Sequence, residues 1–230
     1  MSFFKNIFSK PPLPPDWMNP YFNAKSNLPL KHTSIENLRF VVLDTETTGL
    51  DIQKDRLLSI GTACVEGKAI LVKDSVEWVL YEEEDLPMDK KGIAIHGLRP
   101  IDLKEGTKKQ AALQEFLDYL DNSIIVAHHT AFDVAMLNKA LSAFHPKFQL
   151  YNPQLDTAKL AIRLERGLFA ELSAHDRKKY TLDTLCERYE VETIERHSAW
   201  GDAYTTAVLF LKLLHLLQKN GIYTLKDLLR

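Results

Sequence analysis

From Leu38 onward the chain alternates short apolar runs with longer stretches of helical spacing, a pattern that the first 36 residues lack. Phe40-Val41-Val42-Leu43 is a continuous apolar run, as expected of a strand covered on both faces. Residues 57–65 and 76–80 read as two further strands, with Gly67 suited to a turn between them. Thr107-Lys108-Lys109-Gln110 reads as a capping box ahead of Leu113, Phe116, Leu117 and Leu120 at helical spacing. Residues 123–127 predict another buried strand, and 130–143 the helix that follows it. Residues 155–164 and 181–189 read as helices, and 201–218 as a long amphipathic one. Strands come first and then alternate with helices. That order predicts an α/β fold with a mixed sheet, antiparallel at its start and parallel later, flanked by helices on both sides.

Residues 1–36 read as a proline-rich extended arm preceding a folded domain over 37–230. Pro11, Pro12, Pro14 and Pro15, then Pro20 and Pro29, disfavour regular elements and favour a partly polyproline path draped over the domain. Two sharper readings exist for the arm. One is a docking peptide for a partner, and the other an aromatic and basic foot on a membrane surface through Phe3, Phe4, Lys5 and Phe8.

Composition narrows the picture only a little. With 230 residues, 45% hydrophobic and 26% charged, the chain can bury a sizeable core. A net charge of −2 gives no global positive field, which argues against tight binding of long duplexes and leaves room for a cleft that grips a short strand end. The longest apolar run, 203–217, is broken by Lys212 and His215 and is too short to span a bilayer. The first residues lack the apolar centre of a signal peptide, so a cytoplasmic location is expected. Cys64 and Cys186 are far apart and lack metal-ligand spacing, as expected of reduced, inert thiols.

Acidic residues stand where apolar elements begin or end. Asp44 and Glu46, two apart on a predicted strand, project from one face, while Thr45 projects from the other. Gly49 can turn the chain after Thr47-Thr48. Asp133 follows the strand 124–127 closely, with His128, His129 and Phe132 before it; a strand running directly into a helix ends at the carboxyl edge of the sheet, where ligands of open α/β sheets gather. His197 precedes the long helix, and Asp202 lies five residues later, with Gly201 between them. Taken singly, Asp133 reads sooner as a helix-dipole acid, His197 as a loop histidine and Asp202 as an N-cap-region acid; together with Asp44 and Glu46 they do not. Four carboxylates in one cleft repel one another and raise one another's pKa, and divalent cations resolve that conflict. Two such ions beside an imidazole, which ordinarily titrates at about 6.5, make a centre suited to phosphodiester cleavage.

The order D-x-E, then H-x-x-x-F-D, then H-x-x-x-x-D resembles the histidine-bearing subgroup of the DEDD superfamily of 3′–5′ exonucleases. Asp44-Thr45-Glu46-Thr47-Thr48-Gly49-Leu50 is most similar to the proofreading (epsilon) subunit of bacterial replicative DNA polymerases and its stand-alone relatives. The likeness covers about 37–217. It implies a ribonuclease H-like sheet, with Asp44, Glu46, Asp133 and Asp202 as ligands of two Mg²⁺ or Mn²⁺ ions and His197 as general base. It further implies substrate contacts from Thr47, Leu50, His96 and His128, with Leu50 wedged against the terminal base. Asp156 matches a supporting position, whereas His129 stands where the family commonly has Asn.

On this resemblance the expected activity is release of nucleoside 5′-monophosphates from 3′ ends of DNA, single-stranded or frayed. The alternatives are a short-RNA exoribonuclease and a module docked on a DNA polymerase or repair complex through the arm, with incidental nuclease activity. A ribonuclease H-type endonuclease fits the His197–Asp202 spacing less well. The Arg- and Lys-rich stretch 163–179 reads as a solvated face.

Overall fold

In the computed structural model, which describes residues 13–82, 97–170, 173, 176 and 178–230, five strands form one sheet. They are β1 (Arg39–Thr47), β2 (Leu57–Glu66), β3 (Ala69–Val79), β4 (Ile124–Ala127) and β5 (Gln154–Asp156), ordered β3-β2-β1-β4-β5. β1 pairs antiparallel with β2, and β2 with β3, while β4 joins β1 in parallel and β5 joins β4 in parallel. The expected mixed sheet is therefore present, and β1 at its centre is covered on both faces. The short β5 extends a segment that reads as pure helix in the sequence. The helix proper, α5 (Thr157–Arg166), begins only after Asp156 has paired with Ala127.

Alternation along β1 divides the core in two. Phe40 and Val42 point toward α7 (Ala199–Lys219), where Phe40 meets Phe210 edge-on at 5.0 Å between ring centres. Val41 and Leu43 point the other way, toward α3 (Lys109–Leu120) and α4 (Ala131–Ser142), among Phe116, Leu117 and Leu137. Between α5 and α7 lies α6 (Leu182–Arg188), and α8 (Leu225–Leu228) closes the chain under a Thr224–Asp227 capping box.

Two local expectations are corrected. After the short α2 (Pro100–Lys104), Lys108 precedes α3 with no side-chain cap, because Thr107 is drawn into a parallel bridge with Leu80 and its amide donates to the Val79 carbonyl. Residues 16–27 are not extended. They form a 3₁₀ turn at Asp16–Met18, α1 (Asn19–Ala24) and a further turn at Lys25–Asn27. Pro20 falls in the first turn of α1, where the missing N–H breaks no helical bond. Met18 and Tyr21 are buried against the α3–α4 layer, and the Tyr21 ring stacks on Tyr151 at 4.2 Å. The Tyr21 hydroxyl donates to Asn152 Oδ1 at 2.6 Å and accepts from the Tyr151 amide at 3.1 Å.

Candidate active site

The C-terminal end of β1 carries the site. Asp44 and Glu46 share the face of the sheet on which α7 lies, and opposite them across β2 stand Gly61 and Ser59. Gly61 allows α7 to come down onto the sheet: a Cβ there would lie 2.0 Å from the Ala199 carbonyl carbon. The first turn of α7 is capped by the Ser198 hydroxyl, which accepts from the Gly201 amide at 3.1 Å. Asp202, in that turn, is delivered to the strand end. Asp44, Glu46 and Asp202 each present an oxygen, all within 4.8 Å of one another.

Asp133 arrives from the opposite side of the sheet, on the first turn of α4. Its Oδ1 accepts from the Thr45 amide at 3.1 Å and from the Thr45 hydroxyl at 2.8 Å. Thr45 faces away from its two acidic neighbours and so ties the fourth acid to the same strand end. Asp133 is not in the close group of three, although its charge is felt by both Asp44 and Glu46.

The electrostatics are those of acids short of positive charge. Burial first, then Asp133, Asp202 and Glu46, holds Asp44 well above the usual carboxylate range. Burial, then Asp202 and Glu77, pushes Glu46 up to about 7. Burial raises Asp133 to about 7 against the opposing pull of its Thr45 hydrogen bonds. An all-carboxylate donor set with depleted hydration suits a hard divalent cation, so the residues present fit a metal.

The turn before α7 places Arg196 and His197. Glu195 and His197 both adopt left-handed backbone, with φ of 44° and 66°. The Glu195 carbonyl accepts from the Ser198 hydroxyl at 2.9 Å. Gly201 serves this turn by close approach, since α7 already begins at Ala199 and a Cβ on Gly201 would come 2.3 Å from the Glu195 oxygen. His197 is exposed. Arg196 forms an ion pair with Asp202 and a second one with Asp183 at 2.8 Å.

The remaining predicted residues among those described lie outside the group of three. The Thr47 hydroxyl donates to the Gly49 carbonyl at 2.7 Å, and Leu50 is 84% exposed in the loop after β1. His128 turns partly inward, with Nδ1 at 2.9 Å from the Thr157 hydroxyl and Nε2 enclosed without a hydrogen-bond partner among the described residues; burial lowers its pKa to about 3, keeping the ring neutral. His129, at φ 63°, donates its amide to Asp156 Oδ1, which also caps α5 through the Ala158 amide. His96 lies outside the described residues. Arg196, Thr45 and Gly61 escape the sequence reading, although a glycine inside the apolar run of β2 is a recognisable sign of close backbone approach.

A mixed sheet with three carboxylates converging at the end of its central strand, and a fourth held beside them, presents a donor set able to hold a metal ion. The exonuclease (RNase T) family profile matches residues 41–210, and the chain belongs to that family. Within it the chain falls in the histidine-bearing DEDD group of 3′–5′ exonucleases, with polymerase III epsilon subunits among its relatives. It is 33% identical over 193 residues to the DNA polymerase III subunit epsilon of Aquifex aeolicus, covering 82% of this chain and 89% of that protein. It is 31% identical over 189 residues to the PolC-type DNA polymerase III of Caldanaerobacter subterraneus, where 82% of this chain spans only 12% of the polymerase. Among solved structures, E. coli exonuclease I in complex with a dT13 oligonucleotide superposes with a TM-score of 0.64 at 16% identity, covering 81% of this chain and 44% of that one. The ribonuclease H-like fold is thereby shared. No described helix is long and apolar enough to cross a membrane.

Proposed function

We propose that the protein removes nucleoside 5′-monophosphates one at a time from the 3′ end of DNA, acting on single-stranded or frayed ends with Mg²⁺ or Mn²⁺. The observation that carries this reading is the convergence of Asp44, Glu46 and Asp202 within 4.8 Å at the end of β1, with Asp133 tied beside them through Thr45. These four side chains would hold two divalent ions. Bound there, such ions supply charge neutralisation on the scissile phosphate and acidify a water molecule. His197, exposed in the turn before α7, would take the proton from the attacking water at an imidazole nitrogen. Leu50 meets the terminal base with its free side chain, Thr47 and His96 touch the terminal nucleotide, and His128 backs the site through its bond to Thr157. The activity is assigned to residues 37–230, and 1–36 are an N-terminal extension whose Met18 and Tyr21 pack into the core of that unit.

Relatives that are replicative polymerase subunits support a role at replication or repair ends, a polymerase-type partner and a cytoplasmic place of work. The test is hydrolysis of 5′-labelled DNA and RNA oligomers of matched sequence, with Mg²⁺ or EDTA. Expected is a ladder of DNA shortened from the 3′ end, lost in EDTA and in Asp44→Asn and Asp202→Asn. Activity that survives EDTA or either substitution would overturn the assignment, and faster loss of the RNA strand would redirect it to short RNA.

A further inference from the structure

Arg196 bridges two carboxylates in very different settings. Asp183, at the start of α6, has a side chain 68% exposed and is held at 2.8 Å by Nε and by one terminal nitrogen. Asp202 is paired through the other terminal nitrogen, and its side chain is only 12% exposed. Arg196 also opposes the upward push on Asp44 and Glu46, so its charge serves the whole acidic group. In solvent an ion pair adds little to stability, so the Asp183 side, held by two guanidinium nitrogens, fixes where the Arg196 head sits and does not neutralise the buried acids. The Asp202 side lies among acids that attract positive charge, and an ion held by Asp44, Glu46 and Asp202 needs a carboxylate that Arg196 already engages.

We propose that Arg196 is the resident counter-cation of this centre. It holds Asp202 when no divalent ion is bound, yields it when an ion enters, and stays anchored on Asp183 throughout. The inference rests on the divalent-ion reading above. Ion affinity is then set by an exchange in which Arg196 competes and Asp183 assists, because Asp183 is the partner to which the displaced guanidinium retreats.

Calorimetry of Mn²⁺ binding to the full chain, together with thermal unfolding in EDTA, tests this. Arg196→Met is expected to tighten Mn²⁺ binding on the order of fivefold, the value of one moderately strong ion pair, and to lower the melting temperature in EDTA. Asp183→Asn is expected to weaken binding, and the double variant to match Arg196→Met. Equal or weaker Mn²⁺ binding by a natively folded Arg196→Met, or tighter binding by Asp183→Asn, overturns the proposal. Should Arg196→Met fail to fold, Arg196→Lys, which cannot bridge both acids, is expected to shift affinity in the same direction, and unchanged affinity there overturns the proposal equally. A wild-type chain that binds no Mn²⁺ removes the metal centre itself, whereas normal wild-type binding with unaltered variants removes only the role of Arg196.

Discussion

Gly61 and Ala199 meet backbone to backbone: any side chain on Gly61 would begin 2.0 Å from the Ala199 carbonyl carbon and 2.3 Å from the Trp200 amide nitrogen. This contact sets the height of α7 over the sheet, and with it the reach of Asp202 toward Asp44, the strand partner of Gly61. Gly61→Ala therefore has to lift the start of α7. Overpacking of this kind costs about 1–3 kcal/mol, which at about 2–4 °C per kcal/mol for a chain of this size lowers the melting temperature by several degrees. Mn²⁺ binding should weaken and the hydrolysis rate should fall at temperatures where the variant is fully folded. A variant with wild-type rate and affinity would show that Asp202 is positioned by something else.

Thr45 and Asp133 make a second positional device. Thr45→Val keeps the shape of the side chain and removes the hydroxyl that donates to Asp133 at 2.8 Å. A hydrogen bond to a charged acceptor contributes about 1.5–3 kcal/mol, and loss of a group that orients a metal ligand typically costs about 10–100-fold in activity. Rate measurements should show a drop in that range for Thr45→Val, with Thr45→Ser near wild type. Equal rates for the two would mean that the amide bond at 3.1 Å suffices.

The raised acids give the ion-free protein a defined pH dependence. Glu46 and Asp133 rise from ordinary values of 4.5 and 3.8 to about 7, so the folded chain holds protons that the unfolded chain releases. Their contribution to stability is fully present below about pH 4 and is lost as pH rises toward 7. Melting temperatures in EDTA should accordingly fall from about pH 4 to about pH 7. Saturating Mn²⁺ should flatten or reverse that trend, because ion binding needs the ionised carboxylates. A flat profile in EDTA would contradict the burial and crowding of these groups.

Much of this was legible in the sequence because both strand and helix periodicities are strong here. The run Phe40–Leu43, the alternation that puts Asp44 and Glu46 on one face, and the passage of strand 124–127 into a helix all follow from local rules. What was not legible depended on distant backbone. Residues 16–27 carry Pro20 and follow Pro11, Pro12, Pro14 and Pro15, which reads as an extended arm, yet Pro20 at a helix start is harmless and Tyr21 finds Asn152 more than a hundred residues away. Thr107 has the chemistry of a cap, but a bridge to Leu80 claims its backbone instead. Arg196 stands directly before a conspicuous histidine. Its pairing with Asp183 and Asp202 requires α6 and α7 to meet, which no local pattern specifies.

The packing of Tyr21 separates a structural contribution of the N-terminal segment from any docking role. Tyr21→Phe leaves Asn152 Oδ1 and the Tyr151 amide without the hydroxyl that serves both. Stranding such buried groups costs about 1–3 kcal/mol. Tyr21→Ala adds the loss of the ring stacked on Tyr151 and the cavity it leaves, for a cost of about 3–5 kcal/mol. Removal of residues 1–36 takes away Met18 as well, so it should lower the melting temperature by more than removal of residues 1–12, which spares both side chains. Thermal unfolding of the two truncations in the same buffer measures this directly. Equal melting temperatures would mean that the segment over 13–36 contributes nothing to the core. A larger loss in the longer truncation means that a partner lost on deleting 1–36 must be re-examined with the shorter one, since unfolding alone would release it.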